Sequence, residues 1–432
     1  MSIRRFDASK SDFTEAFGKF LALRRAQGTE DVHAKTAVIV RDVRERGGEA
    51  VATYTQRFDG VSLDADTLTA PGIDLLEAAE RCPTDVREAL DFAADRIERY
   101  HAQQRPQDHS FTDAAGLELG WRWTCVDAVG LYVPGGRASY PSSVLMNAIP
   151  ARAAGVQRLA MVSPVPGGEM NPAVAYAALR AGVTEFYPIG GAQAVAALAY
   201  GAGALKPVDK IVGPGNAYVA AAKRIVFGDV GIDTIAGPSE ITVVADNQND
   251  PRWIAADLLS QAEHDPLAQS ILITDDAEWA TKVEAAVASQ MAQLSTGKTV
   301  ETAWRDYGAI VIVGLDAAAA IVNQIAPEHV ELAVADPDAI AKDVRHSGAI
   351  FLGRWAPEAL GDYVTGSNHV LPTSGAARFA SGLSVLDFMK RTSIQRISEQ
   401  GFRHLARAAE TLATAERLPA HGLSVSIRRG EG

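Results

Sequence analysis

The 432-residue sequence predicts an α/β protein with two parallel-sheet domains, a helical N-terminal region and a small C-terminal tail domain. Short apolar segments alternate with Ala-rich helical segments from about residue 127, and the alternation resumes after a break near residues 235–240. Strands that alternate with helices form parallel sheets, because each helix carries the chain back to start the next strand. The length and a hydrophobic content of 47% allow two or three packed domains rather than one.

Residues 10–105 are predicted to be mainly helical. The segment 31–58 carries apolar residues at helical spacing around a Gly–Gly break, and 83–104 predicts a second amphipathic helix with Pro83 near its start. We expect these helices to serve as a packing scaffold.

The first half of the α/β region predicts four strand–helix units. Asn171 is suited to cap one of the helices, and Pro172 is suited to its first position. The strand segments, each followed by its helix, are 127–136, 158–164, 185–191 and 209–216.

The second half repeats this plan without any residue-level repeat. The tail, residues 382–432, predicts a helix over 399–418 and a short strand over 423–429. Such a tail can pack on its own body or reach a second subunit. The strand segments of the second half are 240–246, 270–276, 307–314, 330–336 and 349–353.

Charge and composition limit the class of protein. A formal net charge of −12 and an isoelectric point near 5.3 argue against nucleic acid or an anionic membrane as the main partner. The two cysteines, Cys82 and Cys125, form no C-x-x-C motif, so neither a zinc ribbon nor a dithiol redox site is expected. The N-terminus lacks the apolar stretch of a signal peptide, and no window reaches the roughly 18 apolar residues that span a bilayer. We therefore expect a soluble cytoplasmic protein.

Three glycine-rich turns, at 133–136, 189–193 and 213–216, follow predicted strands and precede helices. Ligands of open α/β sheets bind beyond the carboxyl ends of strands, and N–H groups at a helix start can receive phosphate. None of the turns fits G-x-G-x-x-G, because GPGNAY has tyrosine where the third glycine belongs. On spacing alone, ordinary tight turns explain the pattern better than a dinucleotide site.

The histidines fall into two groups. Five lie in polar or helical surroundings and are expected at the surface: His33, His101, His109, His346 and His404. The others lie in loops or at helix ends of the second half, where chemistry is more plausible: His264, His329, His369 and His421.

Glu328 and His329 are neighbours in the segment APEHVEL, between a predicted helix and a strand. Adjacent side chains point in different directions, so the two can serve different steps. Both residue types suit proton transfer at neutral pH. A capping pair in a loop explains the pattern equally well.

Gln261 and His264 lie three residues apart, on one face of a predicted helix, and both can bind a metal ion. Zinc needs about four ligands, which Asp362 in a Gly-bounded loop and His421 in the tail would complete. Glutamine is an uncommon zinc ligand. On residue type alone, Asp362 is better explained as a turn residue.

Seven segments taken together resemble the histidinol dehydrogenase family, from about residue 127 to the end, and the N-terminal helices are compatible with it. The resemblance implies NAD-dependent, four-electron oxidation of L-histidinol to L-histidine through L-histidinal, the last step of histidine biosynthesis. The segments are GLYVPGG, GPGNAYVAAAK, GIDTIAGPSE, DLLSQAEHDPLAQSILIT, IAPEHVEL, GDYVTGSNHVLPTSGAARFASGLSVLDF and LPAHGLSVSIR.

The resemblance also implies two incomplete Rossmann-like domains. The implied division is an N-terminal arm over 1–24, a catalytic and zinc domain from 25–126 with 239–381, an NAD-binding domain over 127–238, and a tail over 382–432. Similar enzymes are homodimers in which this tail completes the partner's site.

A zinc and substrate site follows from the same resemblance. It implies one Zn²⁺ per subunit, which binds the imidazole and the amine of the substrate and so positions it. The implied metal ligands are Gln261, His264, Asp362 and His421. The implied substrate contacts are Ser239, Gln261, His264, His329, Asp362, Glu416 and His421.

The resemblance assigns the proton transfers as well. His329 accepts the hydroxyl proton in the first oxidation and a proton again in the second, and Glu328 activates the water that attacks the aldehyde. The implied NAD contacts are Tyr132, Gln193 and Asn216. His369 is expected to lie near the site and to hold residues of the site in place without touching the metal itself.

Several rival functions are less favoured. A dehydrogenase of another primary alcohol would be expected to lack Ser239, Glu416 and His421, which are all present. A zinc hydrolase would be expected to carry an H-E-x-x-H helix. A thiohemiacetal on Cys125 lacks a surrounding motif, and a non-catalytic binding protein would not need the acid–base pair.

Overall fold

The computed structural model describes residues 3–25, 30–135, 140–235 and 237–430. The chain forms two compact units: the first comprises residues 1–104 and 127–388, and the second comprises 105–126 and 389–432. None of the described helices is long and apolar enough to cross a membrane.

Two fully parallel sheets organise the first unit, which confirms the predicted α/β fold. The strands of sheet I, in spatial order, are β1 (Arg4–Asp7), β11 (Ala309–Ile312), β10 (Gln269–Thr274), β9 (Glu240–Ala245), β12 (His329–Ala333) and β13 (Ala349–Leu352). Those of sheet II are β6 (Glu185–Tyr187), β5 (Arg158–Val162), β4 (Ala128–Tyr132), β7 (Lys210–Val212) and β8 (Gly231–Ile232).

Helices connect these strands and precede them in the N-terminal region, as predicted. Those before sheet II are α1 (Phe13–Arg25), α2 (Glu30–Arg46), α3 (Gly48–Asp59), α4 (Leu75–Glu80) and α5 (Thr84–Ala102). Those between the strands of sheet II are α6 (Pro141–Ala154), α7 (Pro172–Arg180), α8 (Gly191–Tyr200) and α9 (Ala217–Val226). Those that accompany sheet I are α10 (Pro251–Ala262), α11 (Ala277–Met291), α12 (Gly297–Tyr307), α13 (Ala318–Ile325), α14 (Pro337–Ala341) and α15 (Glu358–Tyr363).

Sheet I is covered on both faces, which explains its nearly continuous apolar strands. Ile241 and Val243 of β9 pack with α10, α11 and α12 on one face. Val244, the next residue along, packs with α1 and α13 on the other. Because side chains of a strand alternate between faces, the strand contributes to both cores at once. Asn171 caps α7 as predicted, since its Oδ1 accepts bonds from the N–H groups of Ala173 and Val174.

Strand β1 was not predicted from the sequence. Its residues pair in parallel with β11, with Phe6 opposite Val311. Only four residues long and partly exposed, β1 lacks the apolar run that identifies the central strands. Its position depends on a partner about 300 residues away, which local patterns do not encode.

The second unit is an antiparallel sheet with two helices, and one prediction about it was wrong. Residues 423–429, expected as a strand, are helical. Amphipathic alternation in short segments does not separate a strand from a helix. The elements are β2 (His109–Thr112), β3 (Glu118–Cys125), β14 (Met389–Arg396), α16 (Glu399–Ala415) and α17 (Pro419–Ser426).

His101 is buried, whereas the sequence predicted a surface position. It lies at the end of α5, where its Nδ1 is 2.8 Å from the carbonyl oxygen of Ile97. The amphipathic helix was identified correctly, but His101 occupies its buried face. Burial lowers the pKa of its imidazole, so a neutral ring is accommodated there.

Candidate active site

A cavity of about 920 Å³ lies in the first unit, and both sheets contribute to its wall. Sheet II contributes the turns that follow β4 and β7, at Pro134 and at residues 214–216. Sheet I contributes residues at the opposite ends of its strands, including Ser239 just before β9 and Glu328 just before β12. The carboxyl edge of sheet II and the amino edge of sheet I therefore both line the cavity.

Glu328 and His329 stand at the start of β12, next to the start of β9. The chain reaches them through Ala326, which ends α13 with a left-handed φ of 54°. The backbone N–H of Glu240 donates to Glu328 Oε2 over 2.9 Å, and its carbonyl lies 3.0 Å from His329 Nδ1. A carbonyl only accepts, so Nδ1 carries the proton and Nε2 keeps its lone pair. Nε2 has no hydrogen-bond partner among the described residues.

Burial shifts the pKa values of this pair in opposite directions. It raises the pKa of Glu328 well above normal, since the charged form loses its hydration and other carboxylates lie nearby. Burial lowers the pKa of His329, so the imidazole is neutral at pH 7. A neutral imidazole with a fixed tautomer and an unoccupied lone pair is ready to accept a proton.

The predicted metal ligands of the first unit meet on the same cavity wall. Gln261 ends α10 and is only 1% exposed, and its Oε1 has no hydrogen-bond partner within the described chain. His264 follows one turn later and Asp362 lies on α15, and all three line the cavity. The pKa of Asp362 is raised to about 9, first by burial and then by the carboxyl group of Glu358 nearby.

Glu358 is a site residue that sequence reasoning missed. It is 2% exposed, its Oε1 lies 3.8 Å from His329 Nε2, and that oxygen accepts no hydrogen bond from the described residues. Asp362 Oδ1 lies at the same distance from His329 Nε2. In the sequence, Glu358 looks like an ordinary acidic residue at a helix start. Only its fold position reveals that it faces the histidine.

The donor set fits a divalent transition metal. Ligand atoms of His329, Glu358 and Asp362 lie within 4.8 Å of one another, and the Gln261 amide oxygen lacks a partner. Imidazole nitrogen and carboxylate oxygen are ordinary zinc ligands. A buried acceptor without a donor destabilises the folded protein, because it has lost its hydrogen bonds to water. A bound cation would offset that loss.

His369 supports the Asp362 segment, as predicted. Its Nδ1 lies 3.0 Å from the carbonyl oxygen of Asp362, to which it donates, and its Nε2 lies 3.4 Å from Ser143 Oγ. Burial lowers the pKa of His369 to about 4, so the ring is neutral.

Two predicted residues belong to the second unit. Glu416 follows α16 and His421 lies on α17, and both side chains are exposed there. The first unit thus supplies Gln261, His264 and Asp362 from its own residues. The assignment of His421 as the fourth ligand stays a prediction.

The predicted NAD contacts occupy two kinds of position. Asn216 lines the cavity and caps α9, because its Oδ1 accepts from two backbone N–H groups at the helix start. Tyr132 is buried at the end of β4, where its hydroxyl accepts a bond of 3.1 Å from Gly191 N–H. Gln193 is also buried, and neither its Oε1 nor its Nε2 has a partner among the described residues.

Comparison with known proteins points to one family. The profile described as histidinol dehydrogenase matches residues 22–429. Histidinol dehydrogenases from Caulobacter vibrioides and Rhodospirillum rubrum are similar at 59% and 57% identity, covering 100% and 99% of both chains respectively. The crystal structure of histidinol dehydrogenase from Elizabethkingia anophelis is similar with a TM-score of 0.91 at 32% identity, covering 99% of this chain and 98% of that one.

Proposed function

Because this chain belongs to the histidinol dehydrogenase family and is therefore an oxidoreductase of histidine biosynthesis, we propose that it oxidises L-histidinol to L-histidine through L-histidinal with NAD. The observation that carries this proposal is the environment of His329. Its Nδ1 is fixed by the Glu240 carbonyl, and its Nε2 faces the cavity with a lone pair available.

His329 is proposed to act as the base of both oxidations. Its Nε2 accepts the hydroxyl proton of histidinol in the first oxidation, and a hydroxyl proton of the hydrated aldehyde in the second. The same nitrogen serves twice because it gives up its proton during hydration of the aldehyde, between the two oxidations. Bound NAD would supply the hydride acceptor for each step.

Glu328 is proposed to activate water. As a carboxylate, it would accept a proton from the water that attacks the aldehyde carbon, while protonated His329 returns its proton to the carbonyl oxygen, which yields the hydrated aldehyde. Glu328 is buried, and the Glu240 N–H holds one of its carboxyl oxygens at 2.9 Å. The raised pKa of Glu328 makes it a stronger base than an exposed glutamate.

Gln261, His264, Asp362 and His421 are proposed to hold one Zn²⁺. Bound there, the ion would supply a Lewis-acidic anchor for the imidazole and amine of the substrate. The partnerless oxygen of Gln261 and the position of His264 on the same wall support this assignment.

The charge of the site supports a cationic occupant. The buried carboxyl groups of Glu240, Glu328 and Glu358 and the partly buried Asp362 surround it, while the basic side chains among the described lining residues are imidazoles. Several carboxyl groups cannot ionise together in a dry site without a compensating cation. A divalent metal and an amino alcohol that carries an ammonium group meet that requirement. Ser239 on the cavity wall and Glu416 of the tail are the further proposed substrate contacts.

The NAD site is proposed at the carboxyl edge of sheet II. The turn at 213–216 meets the start of α9, where backbone N–H groups can receive phosphate. Tyr132, Gln193 and Asn216 all lie on elements of this sheet or directly after its strands. As an NAD-dependent biosynthetic enzyme, the protein is proposed to act in the cytoplasm.

A homodimer is proposed, in which Glu416 and His421 of one chain complete the site of the other. Exposed apolar side chains support a second copy as partner: Ile350 and Leu352 lie on β13, at one edge of sheet I, and Trp355 is 81% exposed. Mixing His421→Ala with His329→Ala chains should restore part of the activity, because one site of a mixed dimer is intact. No recovery, with subunit exchange demonstrated, would contradict the shared site.

The reaction is tested by the stoichiometry of NADH to L-histidinol, with and without a chelator. Two NADH per substrate, lost on chelation and restored by Zn²⁺, would support both the four-electron reaction and the metal. One NADH would leave a simple alcohol dehydrogenase and remove the role given to Glu328. No NADH, with metal present and the fold intact, would indicate another alcohol as substrate.

A further inference from the structure

A pair of acidic side chains lies behind the cavity wall and has no part in the reaction described above. Glu331 follows His329 by two residues on β12 and is 3% exposed. Its carboxyl group lies within hydrogen-bonding reach of the carboxyl group of Asp257 on α10. Its Oε1 also accepts a bond of 2.5 Å from the backbone N–H of Glu358, the first residue of α15.

This arrangement requires a proton between the two carboxyl groups. An ionised carboxylate has no donor, so two carboxyl groups bond to each other only when one is protonated. Burial, with Asp257 and Glu358 nearby, raises the pKa of Glu331 well above normal, and burial raises that of Asp257 to about 6. The shared proton converts a repulsive contact into a bond that joins β12 to α10.

Ser260 makes a second connection, which joins α10 to α15. Its Oγ lies 2.8 Å from the carbonyl oxygen of Asp257 and 3.2 Å from Glu358 Oε2, and its proton can be donated to either. Helix α10 leads directly to Gln261 and His264, and α15 carries Asp362. Both connections therefore join the segment with two proposed ligands to the helix with the third.

We propose that Asp257 and Glu331 are positioning residues, which hold α10 and α15 at the separation that the metal ligands require. The inference rests on the proposed function, since there Gln261, His264 and Asp362 share one ion. Partners that orient metal ligands without touching the ion commonly change metal affinity by about 10- to 100-fold when they are removed. Asp257 and Glu331 act here through the backbone of α15 and not on the substrate.

The experiment is a Co²⁺ titration of the metal-free, full-length protein, followed by the visible absorption of the bound ion. Glu331→Ala removes both bonds and should weaken Co²⁺ binding about 10- to 100-fold. Glu331→Gln keeps them, because its amide oxygen can accept the Glu358 N–H and its amide nitrogen can donate to Asp257. Binding by Glu331→Gln should therefore stay close to that of the wild type, and Asp257→Asn should behave in the same way.

Glu185→Gln is the matched control, because Glu185 is a part-buried carboxylate bonded to Arg158 on sheet II. It should lower the melting temperature without changing Co²⁺ affinity. In the same variants, KM for L-histidinol should rise with Glu331→Ala while KM for NAD stays constant. A rise in KM for L-histidinol alone would indicate that the metal site is displaced, whereas a general loss of structure would change both KM values.

The outcomes separate the two levels of the proposal. If the wild type binds no Co²⁺, the proposed metal site itself fails. If the wild type binds and Glu331→Ala binds equally well, with only its melting temperature lowered, the pair is structural and the inference is overturned. If Glu331→Gln and Asp257→Asn are as impaired as Glu331→Ala, the hydrogen-bonded pair is not what positions the helices.

Discussion

The two parallel sheets of the first unit present opposite edges to one cavity. Sheet II contributes the turns after its strands, at Pro134 and at residues 214–216. Sheet I contributes the beginnings of its strands, with Ser239 before β9 and His329 at the start of β12. The cavity thus lies beyond the carboxyl ends of the strands of sheet II, where ligands of open α/β sheets usually bind, and beyond the amino ends of those of sheet I.

The two edges also differ in what they offer. The turn after β7 packs tightly against β4, because a Cβ on Gly213 would lie 2.0 Å from the carbonyl oxygen of Tyr132. The start of β9 provides an N–H and a carbonyl that hold Glu328 and His329 in place. Sheet II therefore lines the cavity with closely packed backbone, and sheet I lines it with fixed, titratable side chains. Substitutions on the two edges should accordingly affect different kinetic constants.

The largest effect is expected at the amino edge of sheet I. His329→Ala should lower kcat about 10²- to 10⁴-fold for the oxidation of both L-histidinol and L-histidinal, because it removes the proposed base of both steps. NADH formation at saturating substrates measures this, with circular dichroism as a check of folding. His33→Ala, an exposed histidine on α2, should leave kcat unchanged. A loss of only a few fold would remove His329 from the proton transfers.

Glu328→Gln, also at the amino edge of sheet I, distinguishes the role of Glu328 from that of His329. It should slow the oxidation of L-histidinal more than that of L-histidinol, because only the aldehyde step needs an activated water. Gln keeps the size and can still accept the Glu240 N–H, so the backbone contact is preserved. The two rates are measured separately by supplying each compound. Equal slowing of both would indicate that Glu328 serves the site as a whole.

A smaller effect is expected at the carboxyl edge of sheet II. Gly213→Ala should raise KM for NAD and leave kcat at saturating NAD near its normal value. The added Cβ would clash with the carbonyl oxygen of Tyr132, so the turn would have to shift. Gly228→Ala is the matched control: Gly228 has a φ of 110° and Gly213 one of 114°, but a Cβ on Gly228 meets no atom within 4 Å. Both variants should lose about 1–3 kcal/mol of stability from backbone strain. Equal KM values for NAD in the two would show that the turn does not contact the cofactor.

The smallest effect concerns His101, a buried histidine with no assigned part in the reaction. His101 is buried neutral, outside the cavity wall, and burial lowers its pKa below the usual 6.5. The unfolded chain therefore binds more protons, so the free energy of unfolding should fall as the pH drops below about 6.5. His101→Gln should reduce this pH dependence between pH 7 and 5, measured by urea denaturation. An unchanged slope would mean that other groups account for it.

Sequence patterns were sufficient where contacts are local or repeated. Each central strand of sheet I was predicted from a run of apolar residues. A strand that is buried on both faces is apolar at nearly every position, so the run is visible in the sequence. Sequence patterns were insufficient for β1, which is short, and for the sheet of the second unit, whose strands are largely exposed. The same limit explains His101, which a local view of its amphipathic helix placed on the wrong face.

The site shows the same division. The spacing of Gln261 and His264 and the pairing of Glu328 with His329 are local, so they were visible in the sequence. Glu358 was not, because it resembles any acidic residue at a helix start. Its role depends on contacts such as that with Ser260, which lies 98 residues earlier in the chain.

The sequence by itself determined the α/β plan, its break near residue 240 and, through its resemblance to a family, the residues expected to act. Tertiary structure alone decided which edge of each sheet faces the cavity. Helices α10 and α13 return the chain to the amino edge of sheet I, so Gln261 and Glu328 arrive beside each other only when the sheet is assembled. It also decided that Asp257, Glu331 and Glu358 meet in a dry interior, where a carboxyl group gains or loses its proton according to its neighbours.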